Sequence, residues 1–309
     1  MANASVKTRR SFLTTSSASL ATMLLAQSMP SICKAEAASA YKAPVSGHLW
    51  VYASKYPPNW DSTPGLEQVF GDLKQAGYAG VEIMNINLNH DDSAQNLTRL
   101  IKKYDLPVSG SSYGAPFWDK SKHDEVLADA TRVIDRLHQL NGKTFGISVG
   151  DAKRPKTEAE LDAQAVILTK ILKLCTDAKL EANLHNHTYE VVNDMHDLKG
   201  TLARVPDVKL GPDFNWLIRG GVDPVQFINT YAPRIVYCHI RDQYPSGVWT
   251  EYLGQGSTDY KAIAAALKAH NFRGRAAVEL AFPEKFAPAN SLKQDWAMSR
   301  DYVRDTFGW

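Results

Sequence analysis

Four apolar runs in the second half of this 309-residue chain end on side chains that bind metal ions or move protons. They read Asn183-Leu184-His185-Asn186-His187, Gly211-Pro212-Asp213-Phe214-Asn215-Trp216, Tyr237-Cys238-His239-Ile240-Arg241-Asp242 and Ala277-Val278-Glu279-Leu280. Imidazole nitrogens and carboxylate oxygens together suit one borderline or hard divalent ion, Mn²⁺, Zn²⁺, Co²⁺ or Mg²⁺, with a position left for substrate oxygens. His185, Asp213, His239 and Glu279 are therefore candidate ligands. Taken singly, each has a plainer role. A histidine at a strand end can be a hydrogen-bonded rim residue, Asp213 could cap the following turn, and Asp242 could pair with Arg241. Four in succession make a convergent polar cluster, which marks a site. Glu82, near the end of Gly80-Val81-Glu82-Ile83-Met84, either reaches the same pocket or makes a salt bridge at its rim. Trp60, Trp118, Trp216 and Trp249 fall just after strands or in long loops; such faces beside charged groups suit stacking on a sugar ring, or else they plug the barrel mouth.

The elements that must position these residues come as eight strand-then-helix units, the pattern of a parallel sheet covered by helices. His48–Tyr52 reads as the first strand and Leu66–Ala76 as its helix, with Thr63-Pro64 as cap and first-turn proline. Gly80–Met84 precedes the helix Ala94–Tyr104, and Leu106–Gly110 precedes Asp124–Leu140. Thr144–Val149 leads into a helix over Glu158–Asp177, in which Leu161, Ala165, Leu168, Ile171 and Leu172 share a face. Leu180–Leu184 is the fifth strand, and its return segment, Val191–Ala203, is expected to break at Gly200. The last three strands are Val208–Pro212, Arg234–Cys238 and Arg275–Leu280, with helices at Pro224–Tyr231, Asp259–His270 and Ser291–Phe307. Eight such units predict a single (β/α)₈ barrel over residues 41–309, with its functional face where strands end and the following loops begin.

Residues 1–40 read as an export signal. Lys7-Thr8-Arg9-Arg10-Ser11-Phe12-Leu13 is a twin-arginine pattern, Leu20–Ala26 is an apolar stretch too short to span a bilayer, and Ala38-Ser39-Ala40 is a small-residue cleavage signature. The expected location is periplasmic or secreted, by the twin-arginine route. Loss of that segment removes Lys7, Arg9, Arg10 and Lys34 against Glu36, leaving a chain close to neutral. That balance gives no footprint for nucleic acid or an anionic membrane. Of the three cysteines, Cys33 leaves with the signal, and Cys175 and Cys238 sit in apolar-periodic segments as expected buried thiols. Homo-oligomerisation is left open.

These residues resemble the xylose isomerase-like TIM-barrel superfamily, which holds sugar phosphate isomerases and epimerases, ketose 3-epimerases, inosose dehydratase and AP endonucleases. The likeness covers essentially all of residues 41–309. It is carried by His185-Asn186-His187-Thr188-Tyr189-Glu190, by Asp213-Phe214-Asn215-Trp216 followed by Gly221-Val222-Asp223-Pro224, by His239-Ile240-Arg241-Asp242, and by Gly254-Gln255-Gly256-Ser257-Thr258-Asp259-Tyr260.

In the ketose epimerases the ligands are glutamate, aspartate, histidine and glutamate. Asp213, His239 and Glu279 match, and His185 replaces the first glutamate. The epimerases use both glutamates as acid and base on opposite faces of the carbon being inverted, so one of the two is lost here. The resemblance implies a metal-dependent sugar isomerase or epimerase working through an enediolate on a non-phosphorylated ketosaccharide. It implies Glu279 as base, His185 or His187 as the second proton-transfer group, and Arg241 as a hydrogen-bonding partner for substrate hydroxyls. A lyase eliminating from a keto-sugar or keto-glycoside is the alternative, and a non-catalytic sugar-binding barrel is a third. An AP endonuclease fits poorly, because Trp216 stands where that family has a histidine ligand and the charge is neutral.

Overall fold

The computed structural model describes residues 41–309 apart from residue 284, so the export-signal reading of residues 1–40 lies outside the described residues. Seven parallel strands form one sheet: β1 (Val45–His48), β2 (Gly80–Met84), β3 (Val108–Gly114), β4 (Thr144–Ser148), β5 (Glu181–Leu184), β6 (Tyr237–Ile240) and β7 (Arg275–Glu279). Their order is β5-β4-β3-β2-β1-β7-β6. The gap between β5 and β6 is filled by the stretch predicted as the sixth strand. It makes only isolated parallel bridges, Leu184 to Leu210, Leu210 to Ile235, and Asp213 to His239. Pro212 explains the weak pairing: it has no N–H to donate, while its carbonyl still accepts from His239 N at 2.9 Å. The barrel therefore closes through a thin, irregular eighth stave.

The first strand lies earlier than the sequence pattern placed it. Val45–His48 pairs with β2 and β7, while Trp50–Ala53 turns into a short helix, α1. In the apolar run Leu49–Ala53 all but Trp50 are buried, and periodicity over so few residues does not separate strand from helix. The shift moves His48 from the start of a strand to its functional end.

Helices α2 (Leu66–Gln75), α3 (Ser93–Tyr104), α4 (His123–Gln139) and α5 (Glu158–Asp177) alternate with the strands, each burying one face. The start of α5 is fixed by Thr157, whose Oγ1 accepts from Glu160 N while the Glu160 side chain accepts from Thr157 N at 2.8 Å. Helix α6 (Thr188–Arg204) is broken at Val192–Met195, not at Gly200. Asn193, Asp194 and Met195 adopt left-handed φ values of 53°, 57° and 57°, a region that Asn and Asp visit more readily than most residues. Gly200 has a packing role, since a Cβ there would lie 2.7 Å from Leu161 Cδ1. The remaining helices are α7 (Phe214–Arg219), α8 (Pro224–Tyr231), α9 (Tyr260–Ala269) and α10 (Leu292–Phe307). Trp296 of α10 is fully buried and donates from Nε1 to Tyr52 Oη at 2.9 Å, tying the last unit to the first. No helix among the described residues is long and apolar enough to cross a membrane.

Candidate active site

The ends of the strands converge as the barrel geometry requires. His185 follows β5, Asp213 ends the bridging stretch, and His239 and Glu279 lie in β6 and β7. His185, Asp213 and His239 each bring one ligand atom within 4.8 Å of the other two, and all three are buried. Asp213 does both things its position suggested. Its Oδ1 caps α7 by accepting from Asn215 N and Trp216 N at 2.9 and 3.0 Å, and its Oδ2 is left over.

That leftover oxygen and His185 Nδ1 are buried without a hydrogen-bond partner among the described residues. Arg241 Nε lies 2.8 Å from Asp213 Oδ2, but its N–H is not aimed at the oxygen. Buried orphan acceptors of this kind are costly unless something binds them. A nitrogen and an oxygen donor close together fit a divalent cation; of the four ligands expected from sequence, His185, Asp213 and His239 come together, and Glu279 is not part of that group. His239 is more committed. Its Nε2 is 3.0 Å from Glu82 Oε2 and its Nδ1 2.7 Å from Glu279 Oε2, so ligation by His239 exchanges one of these contacts for the ion. Burial opposes a charged ring there, yet the two carboxylates raise His239 to about 10.

Glu279 stands beside the His185–Asp213–His239 group as a separate carboxylate. Burial pushes its carboxyl up, but Arg241, His48 and His239 outweigh it and hold Glu279 well below the usual range. His185 moves the other way: burial and the neighbouring rings of His239 and His187 keep it neutral. Desolvation likewise draws His187 down to about 4, and Nδ1 of His187 lies 3.1 Å from the Ser148 hydroxyl. An ionised carboxylate and two neutral imidazoles thus face one cavity of about 710 Å³ at the barrel mouth.

This barrel has relatives. The family model described as xylose isomerase-like TIM barrel matches residues 70–302. The chain belongs to that family. An inosose dehydratase of Clostridium botulinum is 24% identical over 263 residues, covering 72% of this chain and 87% of that one. Among solved structures, the 3-keto-D-glucoside 4-epimerase of E. coli superposes with a TM-score of 0.66 at 17% identity, covering 84% of this chain and 100% of that one. An L-ribulose 3-epimerase gives 0.70 at 18% identity, covering 86% and 95%. At these identities the structural likeness is one of fold.

The xylose isomerase-like barrel places the other predicted residues less uniformly. Glu82 does not line the cavity; it lies beneath it, buried, bonded to Tyr237 Oη at 2.8 Å and to His239. Arg241 lines the cavity, where it was expected to meet substrate hydroxyls, and it also forms ion pairs with the Asp213 and Glu279 carboxylates. Trp216 and Trp249 do line the cavity, packed edge-to-face with ring centres 5.1 Å apart. The Arg219 guanidinium sits 3.6 Å from the Trp249 ring centre. Trp60 and Trp118 do not reach the cavity; Trp60 packs against Trp50, which does. Asp242 does not pair with Arg241. Its carboxylate accepts from the backbone N–H groups of Gln243, Gly254, Gly256 and Thr258 and so anchors the loop that carries Trp249. Cys175 and Cys238 are free and buried.

Sequence reasoning missed His48, whose Nδ1 is 3.7 Å from Glu279 Oε2 and whose Nε2 is 3.1 Å from the Ser112 hydroxyl. The signal was available, because a strand placed at Val45–His48 would have put a histidine at the same functional end as the other four residues.

Proposed function

We propose that this chain is an enzyme, a divalent-metal-dependent isomerase or epimerase of a non-phosphorylated ketosaccharide. The observation that carries the reading is the ionised Glu279 carboxylate sharing a cavity wall with the neutral imidazoles of His185 and His187. Glu279 is placed to take the proton from the carbon beside a carbonyl, and Arg241 keeps it deprotonated and aimed. His187, neutral and steadied near Ser148, is the group that delivers or relays the second proton. Trp216 lines the cavity with its ring, which suits a sugar face. A divalent ion held by His185, Asp213 and His239 would supply Lewis-acid polarisation of the substrate carbonyl. An uncharged sugar is favoured over a sugar phosphate because the arginine lining this cavity, Arg241, is already neutralised by Asp213 and Glu279.

One observation favours a second reading, elimination. His185 stands where the ketose epimerases carry a second carboxylate, which leaves Glu279 as the cavity-lining carboxylate beside the His185–Asp213–His239 group. A lyase needs only that first abstraction, followed by departure of a β-substituent. Keto-sugars and keto-glycosides incubated with the enzyme in heavy water and followed by NMR separate the outcomes. Deuterium at the α-carbon with no loss of an aglycone means isomerisation or epimerisation, and an unsaturated ketone with free aglycone means elimination. Glu279→Gln abolishes exchange in both cases; exchange at the parent rate in that variant removes Glu279 from the mechanism.

We also infer export of the barrel through residues 1–40. A reporter fused after residue 45 should reach the periplasm, and Arg9→Lys together with Arg10→Lys should stop it.

A further inference from the structure

Beside the main cavity, on the same face of the barrel, the loop after β4 and the first half of α6 enclose a second cavity of about 530 Å³. Asp151 and Tyr189 line both. We propose that this second cavity is a subsite for a second sugar ring, joined to the ring held in the main cavity, so that the substrate is a disaccharide or an extended glycoside. The inference rests on the saccharide reading above and adds the size of the substrate to it.

Four observations support it. Ligand sites run from about 300 to 1,000 Å³, so each cavity alone has room for one ring. The shared wall is also continuous: Tyr189 stacks on His187 with ring centres 5.4 Å apart and planes at 9°, so a ligand bound at the imidazoles passes directly over Tyr189 into the second cavity.

The charge on its walls points to a neutral ligand. Lys153, Arg154 and Lys156 all line it, yet each has its own carboxylate. Lys153 Nζ is 2.9 Å from Asp151 Oδ2, Arg154 grips Glu160 through two bonds of 2.6 and 2.7 Å, and the buried Lys156 Nζ is 2.5 Å from Asp197 Oδ2. The three cations are thus balanced by three carboxylates, so the wall carries no excess positive charge to favour a phosphate over a neutral polyol.

Fourth, the unspent groups are those a sugar uses. The Thr188 hydroxyl and the Asn193 amide make no hydrogen bond among the described residues, and Tyr189 and Pro155 supply flat apolar faces. Asn193 sits on this wall at the start of the left-handed stretch Asn193–Met195, and unusual backbone of this kind concentrates at functional sites.

The full chain loaded with Mn²⁺ can be titrated by calorimetry with methyl glucoside and with differently linked glucose disaccharides. At least one disaccharide is expected to bind about tenfold tighter than the methyl glucoside, a difference of about 1.4 kcal/mol. Val192→Trp, which fills the second cavity, should erase that gain and leave the methyl glucoside constant unchanged. Asn193→Gly removes the amide while keeping a residue at ease with a left-handed backbone, and should weaken the disaccharide alone by several-fold. Equal affinity of one-ring and two-ring sugars in the parent overturns the subsite and leaves the proposed activity standing, as does Val192→Trp weakening both alike. Failure of every saccharide to bind overturns the subsite, while the ketosaccharide activity is overturned only by the absence of exchange and elimination with keto-sugars and keto-glycosides.

Discussion

Nδ1 of His239 stands 2.7 Å from Oε2 of Glu279, while its Nε2 stands 3.0 Å from Oε2 of Glu82. One imidazole thereby joins carboxylates from β2 and β7 across the barrel axis, and the ring is pinned from both sides. Arg241 closes the arrangement by reaching Asp213 and Glu279 from the loop just after His239. A small set of buried charges from four staves thus fixes where the base points before any ligand arrives.

The metal prediction follows from the two orphan atoms, His185 Nδ1 and Asp213 Oδ2. The purified chain should hold about one divalent ion per barrel. His185→Ala and Asp213→Ala should each lower its affinity strongly enough to empty the site on dialysis. Elemental analysis of parent and variants checks this, and unchanged metal content in both variants would show that the ligand set is wrong.

Glu82→Gln tests a positioning role. The carboxylate touches Tyr237 and His239 but does not line the cavity. The expected loss is about 10- to 100-fold, as for partners that orient ligating histidines, and it should fall on kcat or metal affinity with KM changed little. A rise in KM with kcat intact would mean that Glu82 meets the substrate directly.

Glu190 predicts a pH dependence of stability. It is buried, its Oε1 has no partner among the described residues, and burial raises its carboxyl from 4.5 to about 8 despite the His187 N–H that Oε2 accepts at 2.6 Å. A carboxyl whose folded pKa lies above its unfolded value keeps its proton more tightly when folded. Its contribution is therefore full below about 4.5 and is lost as pH rises toward about 8. The slope is at most about 1.4 kcal/mol per pH unit in that window. Denaturant unfolding of parent and Glu190→Gln between these limits should give diverging curves; parallel curves would place the Glu190 proton elsewhere.

Gly256→Ala should damage the loop that delivers Trp249. A Cβ at residue 256 would lie 2.2 Å from Asp242 Oδ1 and 2.4 Å from the Gln243 carbonyl oxygen. The carboxylate it strikes is the one that gathers four backbone N–H groups, so the clash cannot be relieved by one flexible side chain turning away. A stability loss of about 1–3 kcal/mol is expected from unfolding curves, together with weaker saccharide binding. Parent-like behaviour in both measurements would mean that Asp242 does not organise this loop.

The order of strands and helices, the face on which they end and the candidate ligands were legible in the sequence because they rest on local signals. Alternation of short apolar runs with amphipathic stretches is a property of neighbouring residues, and a titratable residue after an apolar run lands at the barrel mouth whatever the register in detail. His185, Asp213, His239 and Glu279 needed no more than that.

Tertiary structure decided how those residues divide the work. Which strand ends face the cavity depends on pairing across the sheet, and a shift of a few residues in β1 hid His48 from a local reading. Whether Glu82 touches a ligand or supports His239 depends on depth along the barrel axis, which no spacing encodes. Arg241 is expected from sequence to pair with Asp242 or to meet substrate hydroxyls, and only the fold sets Asp213 and Glu279 beside it. The tryptophans divide for the same reason: Trp216 and Trp249 meet because α7 and the Asp242-anchored loop converge, while Trp60 packs on Trp50. Sequence fixes which chemistry the chain carries, and long-range packing fixes which groups are spent on one another and which are left for a ligand.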